Sequence, residues 1–139
     1  MSLMYQDVLT DDGLRYRVFS FKDIGTAVAA ANQDCGIVAG LPADNGGTVI
    51  GVYARAGTAP AGASTQLTYD INVNATSIMS TTKCVFTAAA VSAQQTTMRD
   101  DAKIYNGDHL ALDCDAIGND TAGANVAVDM VVRVDAPND

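Results

Sequence analysis

In two segments of this chain every second residue is apolar, and this period of two constrains the fold more than any other feature. One face of residues 126–134 carries only apolar side chains, which are Val126, Val128, Met130, Val132 and Val134. One face of residues 67–73 is also apolar, with Leu67, Tyr69, Ile71 and Val73. Because successive side chains of a strand point to opposite faces, both segments are predicted to be antiparallel strands with one face in a core.

Shorter patterns of the same kind recur between turn residues. They cover residues 14–19, 35–41, 48–57, 84–90 and 109–118. In residues 49–55 both faces carry apolar side chains, which is typical of a central strand. Residues 21–33 are ambiguous, because Ala27 to Ala31 favour helix while Gly25, Thr26 and Val28 favour extended chain, and strand or irregular structure is the preferred interpretation. The polar residues 92–108 are expected to form a long connection with at most a brief extended piece. The pattern predicts an all-β fold of about eight strands, with sandwich and barrel both open.

The composition supports strands joined by turns. All sixteen acidic residues are Asp and none is Glu, and the chain has 12 glycines. Asp prefers caps and turns to helix interiors, so we expect little helix. We divide the chain into an irregular N-terminal arm over residues 1–13, one β-sandwich domain over residues 14–136 and a tail over residues 137–139, because 139 residues suit one domain.

The charge argues against two classes of partner. The formal net charge is −8, and the eight Lys and Arg residues are scattered among Asp residues. Nucleic acid and anionic membranes both require clustered cations, so neither is an expected partner. The first residues lack the basic and apolar regions of a signal peptide, and no apolar stretch is long enough to span a membrane, so we expect neither export by such a signal nor a transmembrane segment.

The three cysteines and the single histidine offer little for catalysis. Cys35, Cys84 and Cys114 are widely spaced without a CxxC pair, and we expect buried free thiols, which suit folding in a reducing cytoplasm. A nucleophilic triad would have to be built around His109, which lies on the polar face of its strand. We therefore expect no enzyme activity and no cofactor, with a hydrolase built around His109 as the least favoured reading.

An acidic segment near the C-terminus raises the question of a cation site. Asp113, Asp115, Asn119 and Asp120 bring oxygen ligands close together in sequence. Calcium prefers such ligands, but the spacing does not match an EF-hand loop. A solvated acidic face and turn is the favoured interpretation, and we predict no metal site.

Residues 49–79 and 105–134 together resemble β-sandwich modules of tailed-phage structural proteins. In the first segment, Arg55 to Pro60 reads RAGTAP with Gly62 after the proline, and Asp70 to Asn74 reads DINVN. In the second, a pattern of spaced Gly, Asp and Leu residues precedes Ala-Gly-Ala at 122–124; its members are Gly107, Asp108, Leu110, Asp113, Asp115 and Gly118. The resemblance covers roughly the C-terminal two thirds of the chain.

The resemblance implies a jelly-roll-like sandwich on a virion, often as a homotrimer. Within that group, a short chain with an N-terminal arm suits a capsid decoration, or cement, protein made in the host cytoplasm, with the major capsid protein and other copies of itself as partners. Strand edges and the first 20 residues are the predicted contact region, with Met4, Tyr5, Leu9, Leu14, Arg15 and Arg17 as candidates. The alternative is a head-fibre or tail-associated receptor-binding module, whose sugar-facing aromatics would be Tyr53 and Tyr69.

Overall fold

The computed structural model describes residues 4–9, 15–29, 31–43, 45–62, 65–87, 89–99 and 102–135. These residues form strands and no helix. The strands within the described ranges are β1 (Met4–Leu9), β2 (Arg15–Thr26), β3 (Ala31–Ile37), β4 (Gly47–Thr58), β5 (Thr68–Val73), β6 (Thr76–Ser77), β7 (Cys84–Val85), β8 (Ser92–Gln95), β9 (Lys103–Ile104), β10 (His109–Ala116) and β11 (Ala124–Val134).

The strands form two antiparallel sheets that pack face to face as a sandwich. The first sheet has the order β1-β2-β11-β4-β8, with β9 also paired to β4. The second has the order β3-β10-β5-β6, with β7 also paired to β5. Early strands pair with late ones: β2 with β11, β3 with β10, and β4 with β8. This nested pairing, which results when a long hairpin is rolled into two sheets, is the jelly-roll strand order. Of the two predicted alternatives, sandwich and barrel, the structure confirms the sandwich.

The core lies between the two sheets and is built by the strands with the clearest alternation. From β11 it receives Val126, Val128, Met130 and Val132, each at most 1% exposed. From β5 it receives Tyr69, Ile71 and Val73. Both strands are therefore confirmed with the predicted face inward. The opposite face of β5 is less exposed than the alternation predicts, because Asp70 on that face is only 2% exposed.

Strand β4 is central, as predicted, but its two faces are divided differently. Its register with β11 shifts between Val131, which pairs with Gly51, and Val132, which pairs with Val49. Ile50 is thus the extra residue of a β-bulge, which reverses the side-chain parity of the strand at that point. Val49 therefore joins Val52 in the core, while Ile50 is only half-buried. A strict period of two assigns these two residues to the wrong faces.

Three strand boundaries differ from the sequence prediction because pairing, rather than local apolarity, determines them. Strand β2 continues from Arg15 to Thr26 along β11. Strand β3 spans residues 31–37 instead of 35–41, since its polar first half is hydrogen-bonded to β10. The predicted strand over residues 84–90 ends at Val85. The predicted connection over residues 92–108 contains two short strands, β8 and β9, both paired to β4.

The N-terminal segment also differs from the predicted irregular arm. Residues 4–9 form β1, which pairs with β2 in an antiparallel register from Met4 opposite Ser20 to Leu9 opposite Arg15. The backbone groups of β2 provide this pairing, which requires no apolar alternation in β1. The remainder of the predicted arm and the tail over residues 137–139 lie outside the described residues.

Candidate functional site

The predicted contact residues that the structure describes lie on the β1–β2 hairpin. Met4, Tyr5 and Leu9 belong to β1, the edge strand of the first sheet, and Leu14 lies outside the described residues. Arg15 is exposed at the start of β2. Arg17 is half-buried on the face of β2 that also carries the buried Phe19. The structure thus brings these residues to one sheet edge, and Arg17 is the least accessible of those whose side chains it describes.

The two tyrosines predicted to face a sugar have opposite environments. Tyr53 is 42% exposed on the outer face of the first sheet, in a shallow depression with Arg55 and Asp129. Tyr69 is 1% exposed and lies in the core, so its prediction as a ligand-facing residue is wrong. Its ring follows the inward parity of β5, and its hydroxyl donates a hydrogen bond to Asp23 of the other sheet. Tyr69 is therefore part of the interior.

A polar cluster joins the two sheets inside the sandwich. Asp23, on β2, is 8% exposed and accepts the bond from Tyr69 on β5. Gln33, on β3, donates its side-chain N–H to the other Asp23 oxygen at 2.8 Å. Both carboxylate oxygens are thus bonded across the layers, which satisfies a charge that would be costly to bury alone. Burial, followed by the bond to Asp23, raises the pKa of Tyr69 and keeps its proton in place.

The cysteines lie in the core, whereas the single histidine is on the surface. Cys35, Cys84 and Cys114 are free and buried. Burial raises the pKa of Cys84 to about 12 and that of Cys114 to about 11, which disfavours the nucleophilic thiolate at neutral pH. His109 is exposed, and its Nε2 lies 2.5 Å from Oδ1 of Asp34 on the neighbouring strand. The thiols therefore act as apolar packing groups, and the histidine belongs to a surface pair.

The outer face of the second sheet carries an acidic cluster with a lysine at its centre. The Lys83 Nζ lies 3.0 Å from Oδ2 of Asp70 and 2.9 Å from Oδ2 of Asp115. Ser77 donates its hydroxyl to the other oxygen of Asp70 at 2.6 Å. Asp113 pairs in register with Asp70 and accepts a hydrogen bond from Asn72. The alternating pattern in the sequence of β5 and β10 predicts that these aspartates lie on a solvated face. It does not identify Lys83 as their partner.

The four residues considered for calcium are not gathered around one point. Asp115 is bound to the Lys83 ammonium. In the loop after β10, Asn119 accepts a hydrogen bond from the Thr65 N–H and donates one to Asp120. Within the described ranges, no group of three or more His, Cys, Asp or Glu residues is arranged to hold a metal ion. Lys83 occupies the place between carboxylates where a cation would be expected.

We expect Asp113→Asn to stabilise the fold at neutral pH. Burial, then the charges of Asp115 and Asp70, raise the pKa of Asp113 above its usual 3.8. A carboxyl group whose pKa is higher in the folded than in the unfolded protein stabilises the fold at pH values below its unfolded-state pKa. This stabilisation is lost as the pH rises through the folded-state pKa. Asp113→Asn should therefore raise the free energy of unfolding by at most about 1 kcal/mol at pH 7, as expected for removing a like-charge pair between strands. Below about pH 3 it should leave the free energy of unfolding unchanged. Urea unfolding at both pH values measures this, and a loss at pH 7 would contradict it.

A groove opens at one end of the sandwich, where the β5–β6 turn faces the chain between Met98 and β10. We call it the end groove. Its volume is about 550 Å³, and its lining residues are Val73, Asn74, Thr76, Arg99, Lys103, Tyr105 and Asp108. The sequence singled out none of these residues as a binding residue. Val73 ends an alternating strand, and the others fall in the turn after it or in the polar connection that ends at Asp108.

The walls of the end groove are held by hydrogen bonds around two side chains. Asn74 donates its side-chain N–H to Oδ1 of Asp108 at 2.9 Å, and its own oxygen accepts the His109 N–H at 2.9 Å. The second oxygen of Asp108 accepts the Tyr105 N–H at 2.8 Å. Asn74 has a positive φ of 52°, a conformation that Asn tolerates better than most residues. The turn and the facing chain are therefore fixed relative to each other.

The described residues contain no helix whose length and apolar character would let it span a bilayer. Comparison with known proteins gives no assignment, since no protein-family model and no curated protein matches the chain.

Proposed function

We propose that this chain is a virion structural protein of a tailed phage, a capsid decoration protein that binds the outer capsid surface and stabilises the head. Two features support the proposal: the turn and strand motifs that resemble phage modules, and the jelly-roll order, a topology shared by many capsid and lectin domains. The same fold hosts other functions, so the proposal depends on a surface and not on the topology alone.

The observation that carries the proposal is the position of β1. This strand is at the edge of the first sheet, with β2 on one side and no described strand on the other. An edge strand presents backbone N–H and C=O groups that can pair with another chain. The candidate contact residues Met4, Tyr5, Leu9 and Arg15 lie on this hairpin. A capsid strand or loop adding to this edge is the docking mode that we propose.

Assembly would multiply this contact. A homotrimer would present three β1 edges to neighbouring capsid subunits, so contacts that are weak singly would act together. The net charge of −8 would keep the outer surface of a decorated head soluble and discourage association between heads. In this proposal the protein is made in the host cytoplasm and functions on the virion.

We expect Arg15→Glu to weaken binding to undecorated capsids by about tenfold, the effect of losing one charge-assisted contact. Arg15 is exposed on the hairpin, so the change should leave the fold intact. Arg55→Glu is the matched control, since Arg55 is also exposed on a strand of the same sheet but is separated from β1 by β2 and β11.

Capsids mixed with each variant would be pelleted and the bound protein quantified, and thermal disruption of the heads would be followed in parallel. Slower disruption with the unmodified protein and with Arg55→Glu, but not with Arg15→Glu, supports the proposal. The absence of any capsid binding by the unmodified protein would refute decoration as its function, and an equal loss with both variants would refute docking through the hairpin.

A further inference from the structure

We propose that the end groove is a binding site for an acidic saccharide, a sugar ring that bears a carboxylate. The inference is independent of capsid docking, because the end groove lies between β5–β6 and β9–β10, whereas the proposed docking edge is β1. Its volume of about 550 Å³ lies within the range of small-molecule sites, which is about 300–1,000 Å³.

The first argument is charge. The end groove carries Arg99 and Lys103 on a chain with a net charge of −8. Lys103 lies 3.1 Å from Oδ2 of Asp135, and that carboxylate also contacts Arg133 at 3.5 Å. Among the described residues that line the end groove, two are cationic and one, Asp108, is acidic. Asp100 and Asp101 follow Arg99 in the sequence and lie outside the described residues.

The second argument is the balance of donors and acceptors. Both Asp108 oxygens already accept hydrogen bonds, and the Asn74 oxygen accepts the His109 N–H. The acceptors on the wall are therefore largely occupied by the protein itself. The Lys103 ammonium has three N–H donors and uses one on Asp135, and Thr76 adds an exposed hydroxyl. A wall rich in donors suits a ligand rich in acceptors, such as a carboxylate flanked by hydroxyls.

The third argument is the aromatic surface. Tyr105 is 41% exposed, although its neighbour Ile104 is fully buried, and Lys103 lies 5.8 Å from the centroid of the Tyr105 ring. The exposed Tyr105 ring thus provides an apolar platform beside a cation. A pyranose ring has an apolar C–H face that matches such a platform, and a carboxylate on the same ring would reach the ammonium. Inorganic phosphate matches the charge but not the platform.

Hydrogen bonds within the protein hold the backbone that carries these groups. The Asn74 N–H bonds the His109 carbonyl at 2.9 Å, the Asp108 N–H bonds the Tyr105 carbonyl at 3.1 Å, and the Arg99 N–H bonds the Ile78 carbonyl at 3.1 Å. Asn106 donates to and accepts from the backbone of Leu41, which fixes the turn beside Tyr105. A preformed wall lowers the ordering cost of binding.

The test is a titration of isotopically labelled protein followed by amide chemical shifts. Four ligands are compared: digalacturonic acid, the same disaccharide with its carboxyl groups reduced to alcohols, sodium acetate and sodium phosphate. We expect digalacturonic acid to shift the amides of residues 73–76 and 103–109 at concentrations up to about 10 mM. We expect the reduced disaccharide and the two simple anions to bind at least about tenfold more weakly.

Three variants locate the site. Lys103→Gln and Tyr105→Ala should each weaken binding about tenfold, while Lys103→Arg should retain most of it. Lys22→Gln, an exposed lysine on β2, is the charge control and should bind as the unmodified protein does. Thr48 and Arg133 still hold Asp135 in Lys103→Gln, and a melting temperature for each variant confirms that it is folded.

Several results of the titration would contradict the proposal. Shifts that are absent, that map outside the end groove, or that are lost in Tyr53→Ala and not in Tyr105→Ala would overturn the proposal. Equal binding of the reduced disaccharide would show that the carboxylate is not recognised, and equal binding of phosphate would indicate a general anion site; both contradict an acidic-saccharide site. Because the titration contains no capsid, its result and the result of the decoration test are separate.

Discussion

Lys83→Met is expected to lower the free energy of unfolding by about 3 kcal/mol at pH 7, the low end of the loss seen when one partner of a buried ion pair is removed. Asp70 is only 2% exposed and would lose the ammonium that lies 3.0 Å from its Oδ2. Asp115 would lose the same partner, and Asp113 would remain beside two uncompensated carboxylates. The side chain of Lys83 is itself 32% exposed, which is why we place the effect no higher.

The pH dependence gives this prediction a second test. The hydrogen bond to Asp115, opposed by burial and reinforced by Asp70, raises the pKa of Lys83 above its ordinary 10.5. A lysine whose pKa is higher in the folded than in the unfolded protein stabilises the fold fully at pH values below its unfolded-state pKa. This stabilisation is lost as the pH rises through the folded-state pKa. The difference between the unmodified protein and Lys83→Met should therefore be constant from pH 7 to about pH 9 and shrink above 10.5.

Urea unfolding across this pH range measures the effect. Lys83→Arg keeps the charge and should lose less than half as much stability, and Lys22→Met removes an exposed lysine and should change stability by no more than about 0.5 kcal/mol. A loss in Lys83→Met no larger than that in Lys22→Met would mean that the cluster does not need its cation.

Tyr69→Phe is expected to cost about 2 kcal/mol, because it leaves one oxygen of the buried Asp23 carboxylate without its hydroxyl donor. The ring is kept, so the packing of the core is nearly unchanged. Gln33 still donates to the other oxygen at 2.8 Å, which limits the loss. Because Asp23 and Tyr69 belong to different sheets, the change weakens the attachment between the two layers as well as the stability.

Tyr53→Phe is the matched control, since Tyr53 is 42% exposed on the outer face. Its effect should stay within about 0.5 kcal/mol. The coupling is measured with Asp23→Leu and the double variant: if the hydroxyl acts through the carboxylate, Tyr69→Phe should cost little in the Asp23→Leu background. Additive losses, or a single-variant loss no larger than that of Tyr53→Phe, would show that the bond between the sheets contributes nothing.

Alternation in the sequence predicted the strands that lie in the middle of each sheet. Val126 to Val132 and Tyr69 to Val73 follow a period of two because one face of each strand packs in the core. Strands at the edges were harder to predict. Strand β8 has few apolar residues, β9 has only two residues, and the apolar residues of β1 do not alternate with polar ones. Backbone pairing with β2 and β4 is what makes them strands. A search for a period of two also cannot detect a β-bulge such as the one at Ile50.

The candidate sites are harder to predict from the sequence than the fold. The end groove joins residues from a turn near Asn74 to residues 25 or more positions later, and no spacing in the sequence marks that meeting. Tyr69 illustrates the converse, since an aromatic residue on an alternating strand faces either a core or a ligand, and only its 1% exposure decides between them. The predicted capsid contacts lie together on one hairpin, but their partner stays a prediction.

The sequence by itself determined that this protein is built from antiparallel strands, because the alternation of apolar side chains is a local property of a strand with one face in a core. It also determined that the cysteines are buried free thiols, which the structure confirms. The tertiary structure alone decided the jelly-roll order, the edge position of β1, the Asp23–Tyr69 bond and the cluster around Lys83. Each of these depends on contacts between residues distant in the chain, and the side-chain pattern within a strand carries no information about which strand becomes its neighbour.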